Sequence, residues 1–265
     1  MNLLQEKRKD LTNIDLFIKQ LNDSKKIVFF GGAGVSTASG IPDFRSQNGL
    51  YKKELGYSTS SEEILSIGFL NNNPKEFFDF SFNHLFFPYV KPSVAHKFPV
   101  YLEDNDRDVV VVTQNIDGLH QEAGSSNVIE LHGTQNTATC MKCNKRYDGK
   151  EIFKLRDKDG IPRCTYDNGI VRHDVVLFSQ NLNDNDIRNS IKAINQADML
   201  IVAGTSLNVY PAAGLINYFI GKYIVVVNKE SININEDNVL VFQEEAFREE
   251  VKRICSRLLR SSVIF

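Results

Sequence analysis

The sequence predicts an α/β fold: a doubly wound parallel sheet with a smaller second lobe inserted into it. Three observations carry that expectation. Apolar runs at residues 109–113, 128–131, 199–203 and 224–227 are mostly rich in Val and Ile and uninterrupted, as expected of strands covered on both faces by helices. An earlier run, Lys26-Ile27-Val28-Phe29-Phe30, ends in Gly31-Gly32-Ala33-Gly34, a buried strand feeding the first turn of a nucleotide-binding α/β unit. Two long segments break this rhythm and have no place in such a sheet.

Taken in order, residues 2–21 set Leu3, Leu4, Leu11, Ile14, Phe17, Ile18 and Leu21 at helical spacing, an opening amphipathic helix before the first strand. The first interruption, residues 46–104, carries Phe77, Phe78, Phe80, Phe82, Phe86 and Phe87 in helical patterns between loops marked by Pro74, Pro88 and Pro92. The second, residues 136–173, is polar, holds three of the four cysteines and turns at Asp157-Lys158-Asp159-Gly160. Both read as insertions that together form the smaller lobe. Residues 246–259, with Phe247, Val251, Ile254 and Leu258, make a closing amphipathic helix that packs back on the sheet. Cys255, beside Ile254, reads as a small core residue.

Charge and composition exclude several classes. Across 265 residues, 31 basic against 33 acidic side chains leave a net charge of −2, so no broad basic field exists to hold nucleic acid. With 42% hydrophobic and 24% charged residues the chain reads as a folded globular protein rather than a disordered one. No run approaches the roughly 20 apolar residues that span a bilayer. The N-terminus breaks into charge at Glu6-Lys7 and shows no secretory apolar core. Three cysteines clustered within 25 positions point, in a reducing compartment, to metal before disulfide. A cytoplasmic protein with neither membrane nor nucleic-acid partner is expected; its oligomeric state is not legible.

Four motifs sit at the ends of the strands. In Gly32-Ala33-Gly34-Val35-Ser36-Thr37-Ala38-Ser39-Gly40-Ile41-Pro42-Asp43-Phe44-Arg45, the glycines let the backbone approach a pyrophosphate stabilised by N–H groups and a helix N-terminus. A plain strand-to-helix turn would use the same glycines. The dehydrogenase fingerprint fails, because its third glycine would fall at Thr37. Phe44 and Arg45 then set an aromatic and a cation where they could cover a ribose and its leaving group. In Thr113-Gln114-Asn115-Ile116-Asp117-Gly118-Leu119-His120, an Asn and an Asp two apart can grip an amide such as a carboxamide. Alternatively one of them caps a helix. Leu131-His132-Gly133-Thr134 places a histidine directly after a strand, either a general base or a core histidine satisfied by hydrogen bonds. Gly204-Thr205-Ser206-Leu207-Asn208-Val209-Tyr210-Pro211-Ala212 repeats the strand-then-glycine pattern and offers two hydroxyls to phosphate or ribose; Asn228 ends the next strand likewise.

In this order and spacing the four motifs resemble those of the sirtuins, the NAD-dependent protein lysine deacylases, across residues 26–242. The resemblance implies a Rossmann-like NAD-binding domain of residues 1–45, 93–135 and 174–265. A helical insertion at 46–92 and a zinc module at 136–173 would form the small lobe, with NAD in the cleft between. It also implies roles. Gly32, Ala33, Gly34, Phe44 and Arg45 match the cofactor loop, and Gln114, Asn115, Ile116 and Asp117 the ribose and nicotinamide pocket. Gly204, Thr205, Ser206 and Asn228 match contacts to the phosphate and adenosine parts, while His132, with Asn115, matches the catalytic centre. The implied reaction is deacetylation of acetyl-lysine in proteins or peptides. NAD is consumed as co-substrate, nicotinamide and O-acetyl-ADP-ribose are released, and no hydride moves. Two other readings share the motifs: an ADP-ribosyltransferase or NAD glycohydrolase, with the same electrophile and a different acceptor, and a non-catalytic NAD-binding module that would not need His132.

The sequence departs from the family pattern in three places. Cys140-Met141-Lys142-Cys143 is followed by Cys164, but Asp167 stands where a fourth cysteine is usual. Carboxylate is an accepted zinc ligand, so one structural ion on Cys140, Cys143, Cys164 and Asp167 is expected. His173 is the other candidate for the fourth ligand, and a metal-free remnant the remaining possibility. Phe178-Ser179-Gln180 replaces Phe-Gly-Glu beside the edge on which sirtuins add a substrate peptide as a strand. Val176, Leu177, Phe178 and Val209 are the expected substrate contacts there. Ser81 and His84 fall where sirtuins that favour acidic acyl groups carry Tyr and Arg, so an uncharged acyl group, acetyl first, is expected.

Overall fold

The computed structural model describes residues 3–46, 49–52, 55–230, 232, 234 and 239–243. The side chains of Leu3, Leu4 and Leu11 and the expected closing helix at 246–259, with Phe247, Val251, Ile254, Cys255 and Leu258, lie outside the described residues.

Helix α1 (Leu3–Asn22) leads into strand β1 (Lys26–Gly31), a 3-10 helix at Ala33–Ser39, and the short helices α2 (Ser61–Ile64) and α3 (Ile67–Asn72). Helices α4 (Pro74–His84) and α5 (Val94–Asp104) follow, then β2 (Asp108–Thr113), α6 (Leu119–Ala123) and β3 (Val128–Glu130). Next come β4 (Gly133–Cys140), β5 (Arg146–Asp148), a 3-10 helix at Gly149–Leu155, and β6 (Val171–Val175). Helix α7 (Asp184–Gln196), β7 (Met199–Ala203), a 3-10 helix at Ala212–Tyr218, β8 (Tyr223–Asn228) and β9 (Val239–Gln243) complete the described chain.

Six strands form one parallel sheet in the order β3-β2-β1-β7-β8-β9. The expected apolar runs are its strands, and their continuity has a simple cause: alternate residues face two separate cores. On one face Ile27, Phe29, Val111, Ile201 and Val225 pack against Ile14, Phe17 and Leu21 of α1 and Phe98 and Leu102 of α5. On the other, Val28, Phe30, Val112, Leu200 and Val202 meet Ile194 of α7 and Leu131. The chain runs outward from β1 through β2 to β3 and returns to β7 on the other side of β1. That reversal opens a crevice at the carboxyl ends of β1 and β7.

Two further clusters build the small lobe. Phe77, Phe78 and Phe80 of α4 pack with Ile64, Leu70 and Leu177. Ala138, Cys140, Ile152, Cys164 and Val171 close around a three-stranded antiparallel sheet of order β5-β4-β6. This second sheet and β9 were not expected. β4 reads Gly-Thr-Gln-Asn-Thr-Ala-Thr-Cys, polar and mostly half-exposed or exposed, so it carries no apolar run to betray a strand.

Phe17 is fully buried, with its ring centroid 6.4 Å from that of Phe98 and 5.6 Å from that of Phe242. Phe17→Ala should cost about 3–5 kcal/mol of stability, read from urea unfolding; a loss below about 1 kcal/mol would mean that α1 docks by other contacts.

Candidate active site

Register sets the site. Gly31 lies opposite Thr113 on one side and Ala203 on the other, so three loops leave the sheet at one level. The first and third touch backbone to backbone: Gly32 N–H donates to Ala203 C=O at 3.0 Å, and Gly34 N–H to Gly204 C=O at 2.8 Å. A Cβ on Gly34 would lie 2.7 Å from the Gly204 Cα, and Gly204 itself has φ +58°. These glycines therefore let two loops meet as closely as peptide groups allow. The helix expected after the turn is a 3-10 helix, Ala33–Ser39, closed by Gly40 in the left-handed region. Pro42, with no N–H to donate, follows.

A cavity of about 1190 Å3 opens over these loops, and the structure brings every expected NAD and substrate residue to its wall. Gly32, Ala33, Gly34, Phe44 and Arg45 line it from the first loop, and Gln114, Asn115, Ile116 and Asp117 from the second. Gly204, Thr205, Ser206 and Val209 contribute from the third, and Asn228 from the end of β8. His132 and Val176, Leu177 and Phe178 close the small-lobe side.

Asp117 and Asn115 converge on one hydroxyl. Ser36 Oγ–H donates to Asp117 Oδ2 at 2.6 Å, and Asn115 Nδ2 donates to Ser36 Oγ at 3.0 Å and to Gly32 C=O at 3.1 Å. Asp117 Oδ1 also accepts the Leu119 N–H at 2.9 Å. The turn-capping role and the pocket position thus coexist in one carboxylate. Gln114 Nε2 reaches Thr205 Oγ1 at 3.1 Å, tying the second loop to the third.

His132 Nδ1 lies 2.9 Å from Gln114 C=O, an acceptor only, so Nδ1 carries the proton and Nε2 keeps the lone pair. Burial pulls its pKa below the usual 6.5, opposed by that hydrogen bond. The His132 carbonyl accepts Val176 N–H at 2.8 Å, which links this histidine to the segment after β6. That segment is pinned further on: Phe178 N–H donates to Leu65 C=O at 3.0 Å, and Ile67 N–H to Phe178 C=O at 3.2 Å. Gln180 Oε1 accepts Leu177 N–H at 3.0 Å, while Ser179 sits at φ +69°, where a glycine would be unstrained.

Three neighbours escaped the sequence reading. Tyr51 stacks near Phe44 (centroids 5.2 Å apart) and lies beneath the Arg45 guanidinium, 5.2 Å from its carbon; burial pushes its hydroxyl up to about 12. Ser36 lay inside the first motif without an assigned role, and His96 joins it from 60 positions away. Ser81 and His84 do line the cavity. Arg172, also on the wall, spends one guanidinium nitrogen on the carbonyls of Val175 at 2.8 Å and His173 at 3.3 Å.

One donor atom from each of Cys140, Cys143, Cys164 and Asp167 lies within 4.8 Å of the other three. Cys143 and Cys164 sulfurs are 3.6 Å apart, and Cys140 Sγ is 3.4 Å from Asp167 Oδ1. Edges of a zinc tetrahedron with thiolate ligands measure about 3.8 Å, so the set fits that ion. Lys142 and Tyr166 N–H groups each point at a cysteine sulfur at 3.4 Å, the support a thiolate wants. His173 is occupied elsewhere: its Nε2 is 3.1 Å from Gly149 C=O and its ring lies against Phe86. Of the two candidates for the fourth ligand, Asp167 is the one at the cluster.

Residues 32–211 match the model of the Sir2 family. An NAD-dependent protein deacetylase of Clostridium perfringens (strain 13 / Type A) is 49% identical over 225 residues, covering 84% of this chain and 91% of that protein. Among solved structures, a Sir2 variant with deacetylated p53 peptide and 3'-O-acetyl ADP-ribose superposes with a TM-score of 0.83 at 35% identity, covering 92% of this chain and 98% of that one. A complex of Sir2 with p53 peptide and NAD+ gives 0.79 at 34% identity, over 92% and 98%.

Elemental analysis of the purified chain should find one zinc per chain. Asp167→Ala should drop the retained zinc well below one equivalent after dialysis against a mild chelator. A full equivalent kept by that variant would show that the carboxylate is not a ligand.

Proposed function

The chain belongs to the Sir2 family, and on that footing we propose that it is an NAD-dependent protein lysine deacetylase, acting on acetylated proteins or peptides. One observation carries the residue assignment. His132 presents an unprotonated Nε2 to the same cavity that holds Asn115 and Asp117.

An amide oxygen is a weak nucleophile, so its partner must be a strong electrophile. Nicotinamide departs from NAD with the bonding electron pair, leaving an oxocarbenium-like ribose carbon that the acetyl oxygen captures. Asn115 and Asp117 hold the carboxamide during departure, and Phe44 screens the exposed carbon from water. His132 Nε2 then takes the proton of a ribose hydroxyl, which attacks the imidate carbon. Water completes the release of free lysine and O-acetyl-ADP-ribose. Gly34 and Gly204, bonded to each other, hold the first and third loops together beneath the pyrophosphate, with Thr205, Ser206 and Asn228 toward phosphate and adenosine. The peptide runs extended between Val176–Phe178 and Val209. Zinc on Cys140, Cys143, Cys164 and Asp167 is structural, since four protein ligands leave no open position.

Among the described residues no helix is long and apolar enough to cross a membrane. Three free thiols gathered at a metal site suit a reducing compartment, and we assign the enzyme to the cytoplasm.

His132→Ala should lower kcat by roughly 10² to 10⁴ while NAD affinity is kept, because a general base acts after binding. The pH profile checks the same group. A base works unprotonated, so activity is full above the ordinary histidine pKa and falls as pH drops through the depressed value. The acid limb of kcat/KM should therefore lie below 6.5. A limb above that value would assign it to another group.

Asp117→Asn tests the nicotinamide grip. Asparagine offers one acceptor oxygen, so it cannot accept from both Leu119 N–H and Ser36 Oγ–H. Nicotinamide inhibition should weaken by about tenfold, with a small loss of thermal stability. Unchanged inhibition would leave Asp117 a turn cap only.

A further inference from the structure

Behind Asp117 the hydrogen bonds run one way only. His96 Nδ1 lies 3.1 Å from Ser93 N–H and 2.9 Å from Ser93 Oγ; the amide N–H can only donate, so Nδ1 accepts and the ring proton sits on Nε2. His96 Nε2 lies 3.2 Å from Ser36 Oγ, to which it must then donate. Ser36 also accepts from Asn115 Nδ2, so its lone pairs are filled and its single proton has one destination, Asp117 Oδ2. Ser36 is 1% exposed and His96 fully buried, so water cannot substitute for either. His120 closes the far side of His96, ring centroids 4.8 Å apart, and is itself buried with neither ring nitrogen partnered among the described residues. It packs there as an uncharged ring.

From this geometry we infer that His96 is a positioning residue for NAD cleavage: through Ser36 it aims the Asp117 carboxylate, and with it Asn115, at the nicotinamide carboxamide. The chain of donors makes this more than packing. Without the Nε2–H, Ser36 Oγ keeps only the Asn115 donor and one lone pair goes unmet, which loosens the aim of its O–H at Asp117 and leaves the Leu119 N–H as the fixed partner of the carboxylate. Burial holds the His96 pKa down to about 4, so the ring remains in its single-donor form under ordinary conditions.

The inference rests on the assignment of Asp117 to the carboxamide, and two substitutions at His96 separate its two hydrogen bonds. The amide of asparagine reaches the place of Nδ1 and can satisfy Ser93 N–H, but cannot reach Ser36. The amide of glutamine reaches the place of Nε2 and can donate to Ser36, but leaves Ser93 N–H unmet. With intact chain, NAD and an acetylated peptide, His96→Asn should raise the nicotinamide concentration for half-inhibition about tenfold. It should lower kcat similarly, leaving KM for the peptide within about twofold. His96→Gln should recover most of both losses despite a comparable fall in melting temperature. In a Ser36→Ala background the two His96 variants should become alike, since the path between His96 and Asp117 is gone.

Asparagine performing as well as glutamine, or better, would overturn the inference and make His96 a structural cap of α5. Should neither His96 variant fold, Ser36→Ala alone decides: parent-like nicotinamide inhibition there overturns it. If Asp117→Asn, run alongside, leaves inhibition unchanged, the assignment of Asp117 fails instead.

Discussion

The parallel pairing of β1 with both β2 and β7 is the constraint on which the rest of the molecule depends. Parallel strands in register end together, so Gly31, Thr113 and Ala203 deliver three loops to one edge. Loops arriving at one level can share atoms. Gly34 meets Gly204 backbone to backbone, Gln114 meets Thr205, and Asn115 meets Gly32. Each contact is a single hydrogen bond of modest worth, yet together they cross-link three segments far apart in the chain. A side chain at Gly34 or Gly204 would separate the first and third loops and lose that link.

His132 joins this edge to the small lobe. Its ring is held by a carbonyl of the second loop, while its own carbonyl holds Val176. Beyond Val176, the segment is bonded to Leu65, just after the small-lobe helix α2, and to Ile67, the first residue of α3. A displacement of the Val176–Phe178 segment is thereby felt at the His132 ring, and the reverse. The antiparallel sheet β5-β4-β6 supplies the stiffness: β4 starts directly after His132, and the cysteine cluster at its far end ties it to the loop before β6. Metal bound at that cluster would act on the site through strand geometry rather than through charge.

Charge near the pocket is handled by orientation rather than by ion pairs. Asp117 has neutral donors on both oxygens, from Ser36 and Leu119, and no cation is bonded to it among the described residues. A carboxylate so held is fixed in direction without a permanent counter-charge. Arg45, by contrast, is drawn toward Glu62 at 3.8 Å on a partly exposed loop and stacks on Tyr51.

Legibility followed the physics of each part. The parallel strands could be read because burial on both faces forces continuous apolar runs, and the loop residues because chemistry at a strand end permits few choices. Cys140, Cys143 and Cys164 pointed to a metal site by spacing, with Asp167 expected as the fourth ligand and His173 the alternative, since both lie within ten residues of Cys164. Folding decided it by sending His173 to the Gly149 carbonyl. Strand β4 was invisible because an antiparallel strand with polar side chains leaves no apolar period. The role of Ser36 and the presence of His96 were equally hidden: hydrogen bonds between residues 60 and 81 positions apart carry no local signature. Sequence by itself determined which groups would gather at the cleft, because those are properties of residue type at a strand end. Only the tertiary structure decided what holds each group in place, because a hydrogen bond depends on distance and direction, which exist only once the chain has closed on itself.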